Sequence, residues 1–190
     1  MNPNNSFSLH RNLRLPEFDY SQPGAYFVTI VTQDRKPLLG KIVSEEMVLS
    51  EVGMMVQEIV GEMPQHYQSI DVDVFVIMPN HIHVLFVIDD VAAGLRACPS
   101  DQSNNGQPQG VDPTKNRLSL PDIVHRFKSL TTHRYMLAVT RDNWLKFDKR
   151  LWQRNYYEHV IRNERDYQAI YDYILANPIN WEKDDEYSAL

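Results

Sequence analysis

His81 and His83 are separated by one apolar residue within the run Met78-Pro79-Asn80-His81-Ile82-His83-Val84-Leu85-Phe86. Side chains of a β-strand alternate faces, so the two imidazoles project together while Ile82 and Val84 turn toward a core. Paired imidazoles suit one divalent metal ion, and they leave most of its coordination sphere to a third protein group, water or substrate oxygens. The same pattern also describes an ordinary polar face on a half-buried sheet, and spacing alone does not separate the two readings. A nucleotide hydrolase of the histidine-triad type would need a third histidine at the next alternate position, which is Leu85.

A second pair lies near the C-terminus. Tyr167, Ile170, Tyr171 and Ile174 trace an apolar stripe at helical spacing, which predicts a helix seated on a sheet with Tyr167 and Tyr171 as core aromatics. Tyr173 falls off that stripe, and Asn177 follows four residues later on the same helical face as Tyr173. A hydroxyl nucleophile and a hard amide oxygen are thereby set one turn apart. A phenol with a pKa near ~10 is a weak nucleophile at neutral pH, and a phosphodiester is shielded by its own charge. Attack therefore calls for a cation on the phosphate oxygens, and His81, His83 and Asn177 could hold it. Phosphoryl transfer depends mainly on positioning and charge stabilisation, so a metal beside one aligned tyrosine is a sufficient minimal site.

The elements that must position these groups are legible in the pattern. Residues 25–33 are rich in β-branched and aromatic types and follow Gln22-Pro23-Gly24, which predicts a central strand. Val52, Met55, Val56, Ile59, Val60 and Met63 predict an amphipathic helix with Ser50 as N-cap and Pro64 as its stop. Val72 to Met78 and His81 to Ile88 predict a hairpin about the Pro79-Asn80 turn. From about 89 to 119 the composition turns to Gly, Pro, Ser, Asn, Gln and Asp without periodicity, which predicts a long flexible polar insertion in a single domain spanning 1–190. Pro121 opens a helix running to about Val139, Tyr156 to Ile161 is a short strand, and Asn163 caps a last helix ending before Pro178. This order predicts an α+β, ferredoxin-like fold: a four-stranded antiparallel sheet with two helices on one face, plus an additional C-terminal helix carrying Tyr173.

Composition narrows the class. The 190 residues suffice for a real core. A lone cysteine, Cys98, excludes an intramolecular disulfide and any cysteine-rich zinc site, which fits a reducing cytosol. With no signal-peptide pattern and no apolar run near ~20 residues, a soluble cytoplasmic protein without a membrane partner is expected. Net charge is −6, yet residues 115–165 carry 12 Lys or Arg against 5 Asp or Glu, a local +7. Trp144, Phe147, Trp152, Tyr156 and Tyr157 lie among those cations, a mixture that serves a single-stranded nucleic-acid groove.

Several separated motifs in order resemble a known family, the single-tyrosine HUH transposases and specifically their REP-associated tyrosine transposase branch. The resemblance rests on Asp19 to Thr29, Met78 to His83, Phe127-Lys128-Ser129-Leu130-Thr131, Leu151-Trp152-Gln153, Tyr157 to Arg162, and Asp172-Tyr173-Ile174 with Asn177-Pro178. It implies a metal-dependent endonuclease and strand transferase for single-stranded DNA, acting next to hairpins, with Mg²⁺ or Mn²⁺ as cofactor. His81 and His83 would be metal ligands and Tyr173 the nucleophile, forming a 5′-phosphotyrosine intermediate. Asn177 would supply the third ligand, where insertion-sequence relatives use glutamine. His159 is a substitute ligand or a hydrogen-bond partner near the scissile phosphate. Arg11, Arg14, Arg126, Lys128 and Arg134 are the candidate DNA contacts. Insertion-sequence relatives swap active-site helices across a homodimer while REP-associated relatives act as monomers, so the oligomeric state stays open. The alternatives are a domesticated DNA-binding protein of the same fold with little strand transfer, and an RNA-binding module, which lacks any RNP-like aromatic motif here.

Overall fold

The computed structural model describes residues 17–89 and 118–187. Arg11, Arg14 and all but the ends of the expected 89–119 insertion lie outside the described residues. The elements run β1 (Gly24–Val31), β2 (Gly40–Val43), β3 (Glu46–Leu49), α1 (Glu51–His66), β4 (Ile70–Ile77), β5 (His81–Ile88), α2 (Leu120–Arg141), β6 (Tyr157–Val160) and α3 (Glu164–Ala176). Short 3₁₀ turns occupy Gln33–Arg35 and Trp181–Lys183.

The main sheet is four-stranded in the order β4-β5-β1-β6, and all its pairs are antiparallel. Together with α1 and α2 this is the expected ferredoxin-like arrangement. Tyr26, Val28 and Ile30 of β1 and Ile82, Val84 and Phe86 of β5 pack on one face against Val56, Ile59 and Val60 of α1 and Val124 and Phe127 of α2. Alternation sends the other residues of these strands to the opposite face, where Phe27, Val74 and Leu85 meet Ile170 and Ile174 of α3. Burying an aliphatic side chain of that size contributes about 1.5–3 kcal/mol. The seat of α3 thus rests on these two isoleucines, with Tyr167, Tyr171 and Tyr173 packed against the same cluster, and on the polar contacts of the site described below.

Capping follows the sequence. Ser50 accepts from Gly53 N–H, Ser119 and Asp122 form a capping box, and Asn163 accepts from Asp166 N–H. Pro64 does not stop α1. The helix continues to His66, with Tyr67 N–H donating to the Met63 carbonyl at 3.0 Å, because a proline in the last turn forfeits only one backbone bond while Met63 is fully buried. Gly53 is required by contact: a Cβ there would sit 2.0 Å from the Leu39 carbonyl oxygen, so only glycine lets α1 start against the residue that precedes β2.

The β2–β3 hairpin has no counterpart in the expected element order. Its two-residue turn, Ser44-Glu45, has φ of 52° and 67° at the two positions, the conformation usually signalled by Asn-Gly, so the sequence gives no turn cue. Among the described residues no helix is long and apolar enough to cross a membrane.

Candidate functional site

Alternation along β5 puts His81 and His83 on the face that α3 covers. His83 pairs across the sheet with Thr29 and His81 with Val31. Both imidazoles are buried, and their Nε2 atoms lie 2.9 Å apart. Each ring is held by its other nitrogen. His83 Nδ1 is 2.8 Å from Thr29 Oγ1, and His81 Nδ1 is 2.9 Å from Asn80 Oδ1. The orientation of the Asn80 amide is fixed, since its Nδ2 donates to the Glu186 carbonyl at 2.8 Å. Its Oδ1 therefore accepts from His81 Nδ1–H, which leaves the lone pair of His81 Nε2 directed at the centre. Burial, then the neighbouring His83, pushes the His81 imidazole well below its ordinary pKa, so it is neutral.

Tyr173 and Asn177 face the same centre. Tyr173 Oη is 3.4 Å from His83 Nε2, and its ring meets Phe27 edge-on with centroids 6.0 Å apart. The sheet-facing side of α3 thus centres on Ile170, Tyr173, Ile174 and Asn177. Tyr167 and Tyr171, expected as core aromatics, are half-buried at its edge: both pack against the Phe27–Leu85–Ile170–Ile174 cluster and stack on each other, and the Tyr167 hydroxyl donates to Asp73. Asp73 reaches it because β4 shifts register between Val72 and Val74.

The sequence reading missed a carboxylate. Asp184 follows the Trp181–Lys183 turn and enters the centre with its side chain only 2% exposed. Its Oδ2 accepts from Tyr173 Oη and from Asn177 Nδ2, both at 3.0 Å, and lies 3.6 Å from His83 Nε2; its Oδ1 lies 3.9 Å from His81 Nε2. Burial works to raise the Asp184 carboxyl, but the adjacent His83 and His81 imidazoles and the hydrogen bond from Asn177 outweigh it and hold the carboxyl below the usual carboxylate range. Burial and the charge of Asp184 push the Tyr173 phenol well above its ordinary value. The segment bearing Asp184 is tied down by an Arg35–Glu186 ion pair at 2.7 Å and by Trp181, whose indole tilts over His81 with centroids 5.9 Å apart. Only chemistry hinted at Asp184: a hard cation favours a carboxylate, yet nothing in the run Glu182 to Glu186 marks which acid serves.

The donor set fits a divalent cation. His81, His83 and Asp184 offer ligand atoms all within 4.8 Å of one another. Two nitrogens 2.9 Å apart match neighbouring positions around an ion with bonds of about 2.1 Å, whose octahedral edge is about 3 Å. The Asn177 Oδ1 atom is buried without a hydrogen-bond partner, an orphan acceptor that a cation would satisfy.

The other expected residues are placed elsewhere. His159 Nε2 bonds Asp166 at 2.9 Å, joining β6 to the first turn of α3, and it does not join the His81–His83 centre. Lys128 Nζ donates to the carbonyls of Gln153, Arg154 and Asn155, so its charge is spent on holding that loop. Arg134 pairs with Glu62 at 2.9 Å and Glu58 at 3.6 Å, linking α2 to α1. Arg126 is exposed, its guanidinium 5.0 Å from the Tyr67 ring centroid. The aromatics of the basic segment are largely structural: Trp152 is buried with its indole N–H on Thr131 Oγ1 at 2.7 Å, and Trp144 and Phe147 each edge onto Tyr135.

No protein-family model matches the chain. An uncharacterized protein of Haemophilus influenzae is 37% identical over 178 residues, 93% of this chain and 92% of the relative. A second Haemophilus influenzae protein, provisionally named a REP-associated tyrosine transposase, is 26% identical over 163 residues, 85% of this chain and 73% of its own. The REP-associated tyrosine transposase of Escherichia coli is 22% identical over 160 residues, covering 84% of this chain and 69% of its own. The chain is thus homologous to proteins named REP-associated tyrosine transposases. Its fold is shared with a solved structure of a REP-associated tyrosine transposase bound to a REP hairpin: TM-score 0.54, 19% identity, 90% of this chain and 74% of that one. This homology supports a transposase-like, DNA-processing role.

Proposed function

We propose that the protein is a metal-dependent endonuclease and strand transferase for single-stranded DNA next to hairpins, with Tyr173 as nucleophile. One observation carries the reading: Tyr173 Oη is directed into the His81–His83–Asp184 centre, 3.4 Å from His83 Nε2 and 3.0 Å from Asp184 Oδ2. His81, His83 and Asp184 would hold Mg²⁺ or Mn²⁺, with the orphan Oδ1 of Asn177 as a further ligand. When bound, the ion supplies positive charge for the phosphate oxygens.

Asp184 divides its labour between its two oxygens. Its Oδ1 faces His81, while Oδ2 accepts the phenolic hydrogen bond and is placed to take the proton as the bond from Oη to phosphorus forms. The bond to the 3′ oxygen breaks, leaving a 5′-phosphotyrosine and a free 3′-hydroxyl. A 3′-hydroxyl of another strand reverses the step, so strands are joined without an external energy source. Phe27 and the Ile170–Ile174 contact fix the ring, so the hydroxyl is aligned before substrate arrives.

The solved relative is bound to a REP hairpin, and the corresponding partner here is a DNA hairpin. With Lys128 and Arg134 committed internally, its phosphates are assigned to Arg126 and to the cations of the exposed segment after α2. There Lys146 and Arg150, with Lys36, line a groove of about 240 Å³.

The test is incubation of the protein with labelled hairpin oligonucleotides from DNA flanking its gene, with Mn²⁺ or Mg²⁺. The expected result is a denaturant-resistant protein–DNA adduct that is lost in Tyr173→Phe and on chelation. Hairpin binding without an adduct across varied sequences would favour a DNA-binding protein without strand transfer, and an adduct surviving Tyr173→Phe would assign a different nucleophile.

A further inference from the structure

A groove of about 500 Å³ opens beside the candidate centre, between the Ser44-Glu45 turn of the β2–β3 hairpin and the segment that follows α3. Its apolar walls are Ile42, Pro178, Ile179, Trp181 and Tyr187. Two links join it to the centre. Pro178 follows Asn177 directly, and the Trp181 indole that lines the groove is the ring lying over His81. Tyr187 stands edge-on to Trp181 with centroids 5.2 Å apart, so the aromatic wall is braced. Ile179 is 63% exposed, an aliphatic side chain left in water at the groove's edge.

Size, polarity and charge select the occupant. The volume lies within the range of small-ligand pockets and admits one flat heterocycle with room to spare. Glu45 and Glu182 against a single Lys183 make the lining slightly acidic, which disfavours a phosphate inside it. A neutral heterocycle with amino groups satisfies both features, since its face stacks on Trp181 while carboxylates accept from exocyclic N–H.

We propose that the groove binds one unpaired nucleobase of the DNA strand, next to the phosphate that Tyr173 attacks. The proposal rests on the cleavage reading above and adds to it a pocket for a single base.

The experiment uses the full chain and hairpin oligonucleotides with a single-stranded flank. Wild-type protein maps the cleaved phosphate through its adduct, and Tyr173→Phe protein reports affinity without turnover. An abasic residue is then walked through the two nucleotides on each side of that phosphate. One position is expected to weaken binding by about tenfold, within the span of base stacking on aromatic side chains. Ile179→Ser, which leaves His81, His83, Asp184 and Trp181 in place, should weaken binding of the intact strand severalfold and lose that penalty on the strand abasic at the same position. A penalty that persists on the abasic strand, or affinity unchanged by every abasic position while adducts still form, overturns the pocket and leaves the cleavage reading standing. Absence of an adduct on any hairpin overturns the cleavage reading and the pocket with it.

Discussion

Asp184→Asn is expected to lower stability by two separable routes, one present without a divalent cation and one only with it. The carboxylate is buried beside two imidazoles, of which His81 is neutral, and the nearby Arg35 is ion-paired with Glu186. The site nonetheless holds that carboxyl below the usual carboxylate range, so the ionised form is favoured in the folded chain and contributes stability at neutral pH. Asparagine keeps the volume and one acceptor for Tyr173 Oη or Asn177 Nδ2 while removing that charge, so the metal-free variant should melt lower than wild type. With cation at a hundred times Kd, wild type gains about 2.7 kcal/mol, or about 5–11 °C for a chain of this size. Loss of a charged ligand weakens affinity by at least about 10–100-fold, which removes about 1.3–2.3 kcal/mol, half or more of that shift. Thermal denaturation of both proteins in EDTA and in Mn²⁺ reads the two effects separately. A variant that keeps the full Mn²⁺ shift, whatever its melting temperature in EDTA, would refute the reasoning and assign Asp184 to holding the C-terminal segment in place.

Arg134→Ala should cost about 0–1 kcal/mol in denaturant unfolding, because its pairs with Glu58 and Glu62 are largely solvent-exposed. It should also leave the salt dependence of hairpin binding unchanged, whereas loss of a phosphate contact would lower the slope by about 1. Burial pushes the Lys128 ammonium down to about 8 from 10.5. The unfolded chain then holds that proton more tightly, so stability rises with pH between about 8 and 10.5 in wild type and does so less in Lys128→Met, as urea titrations at pH 7 and 10 would show. At pH 7 the same variant should lose about 1–3 kcal/mol through the carbonyls of residues 153–155 that it leaves without their donor.

Local periodicity carried much of this architecture. The alternation in β1, β4 and β5, the helical spacing in α1, and the caps Ser50 and Asn163 are properties of neighbouring residues. So is the projection of His81 and His83 to one side, because a strand alternates whatever it pairs with. The i, i+4 relation of Tyr173 and Asn177 is equally local. What stayed illegible was which face of α3 meets the sheet. Tyr167-Ile170-Tyr171-Ile174 and Ile170-Tyr173-Ile174-Asn177 are both admissible stripes on one helix, and a tyrosine counts as apolar in either. The sheet decided between them, through the Phe27–Leu85 surface and a β4 register shift that gives Asp73 to the Tyr167 hydroxyl.

By itself, then, the sequence determined the pair of histidines, the tyrosine and its helix, and the order of elements that brings them toward one sheet. Tertiary structure alone decided that Asp184 closes the centre, that Asn80 and Thr29 orient the imidazoles, and that Lys128 and Arg134 find partners within the chain, Lys128 on backbone carbonyls and Arg134 in surface ion pairs. Asp184 lies about a hundred residues from His83 in the chain, and Lys128 lies 25 from the first carbonyl it holds. A side chain's type fixes what it can donate or accept, but its partner across such separations is chosen by packing, which no local period encodes.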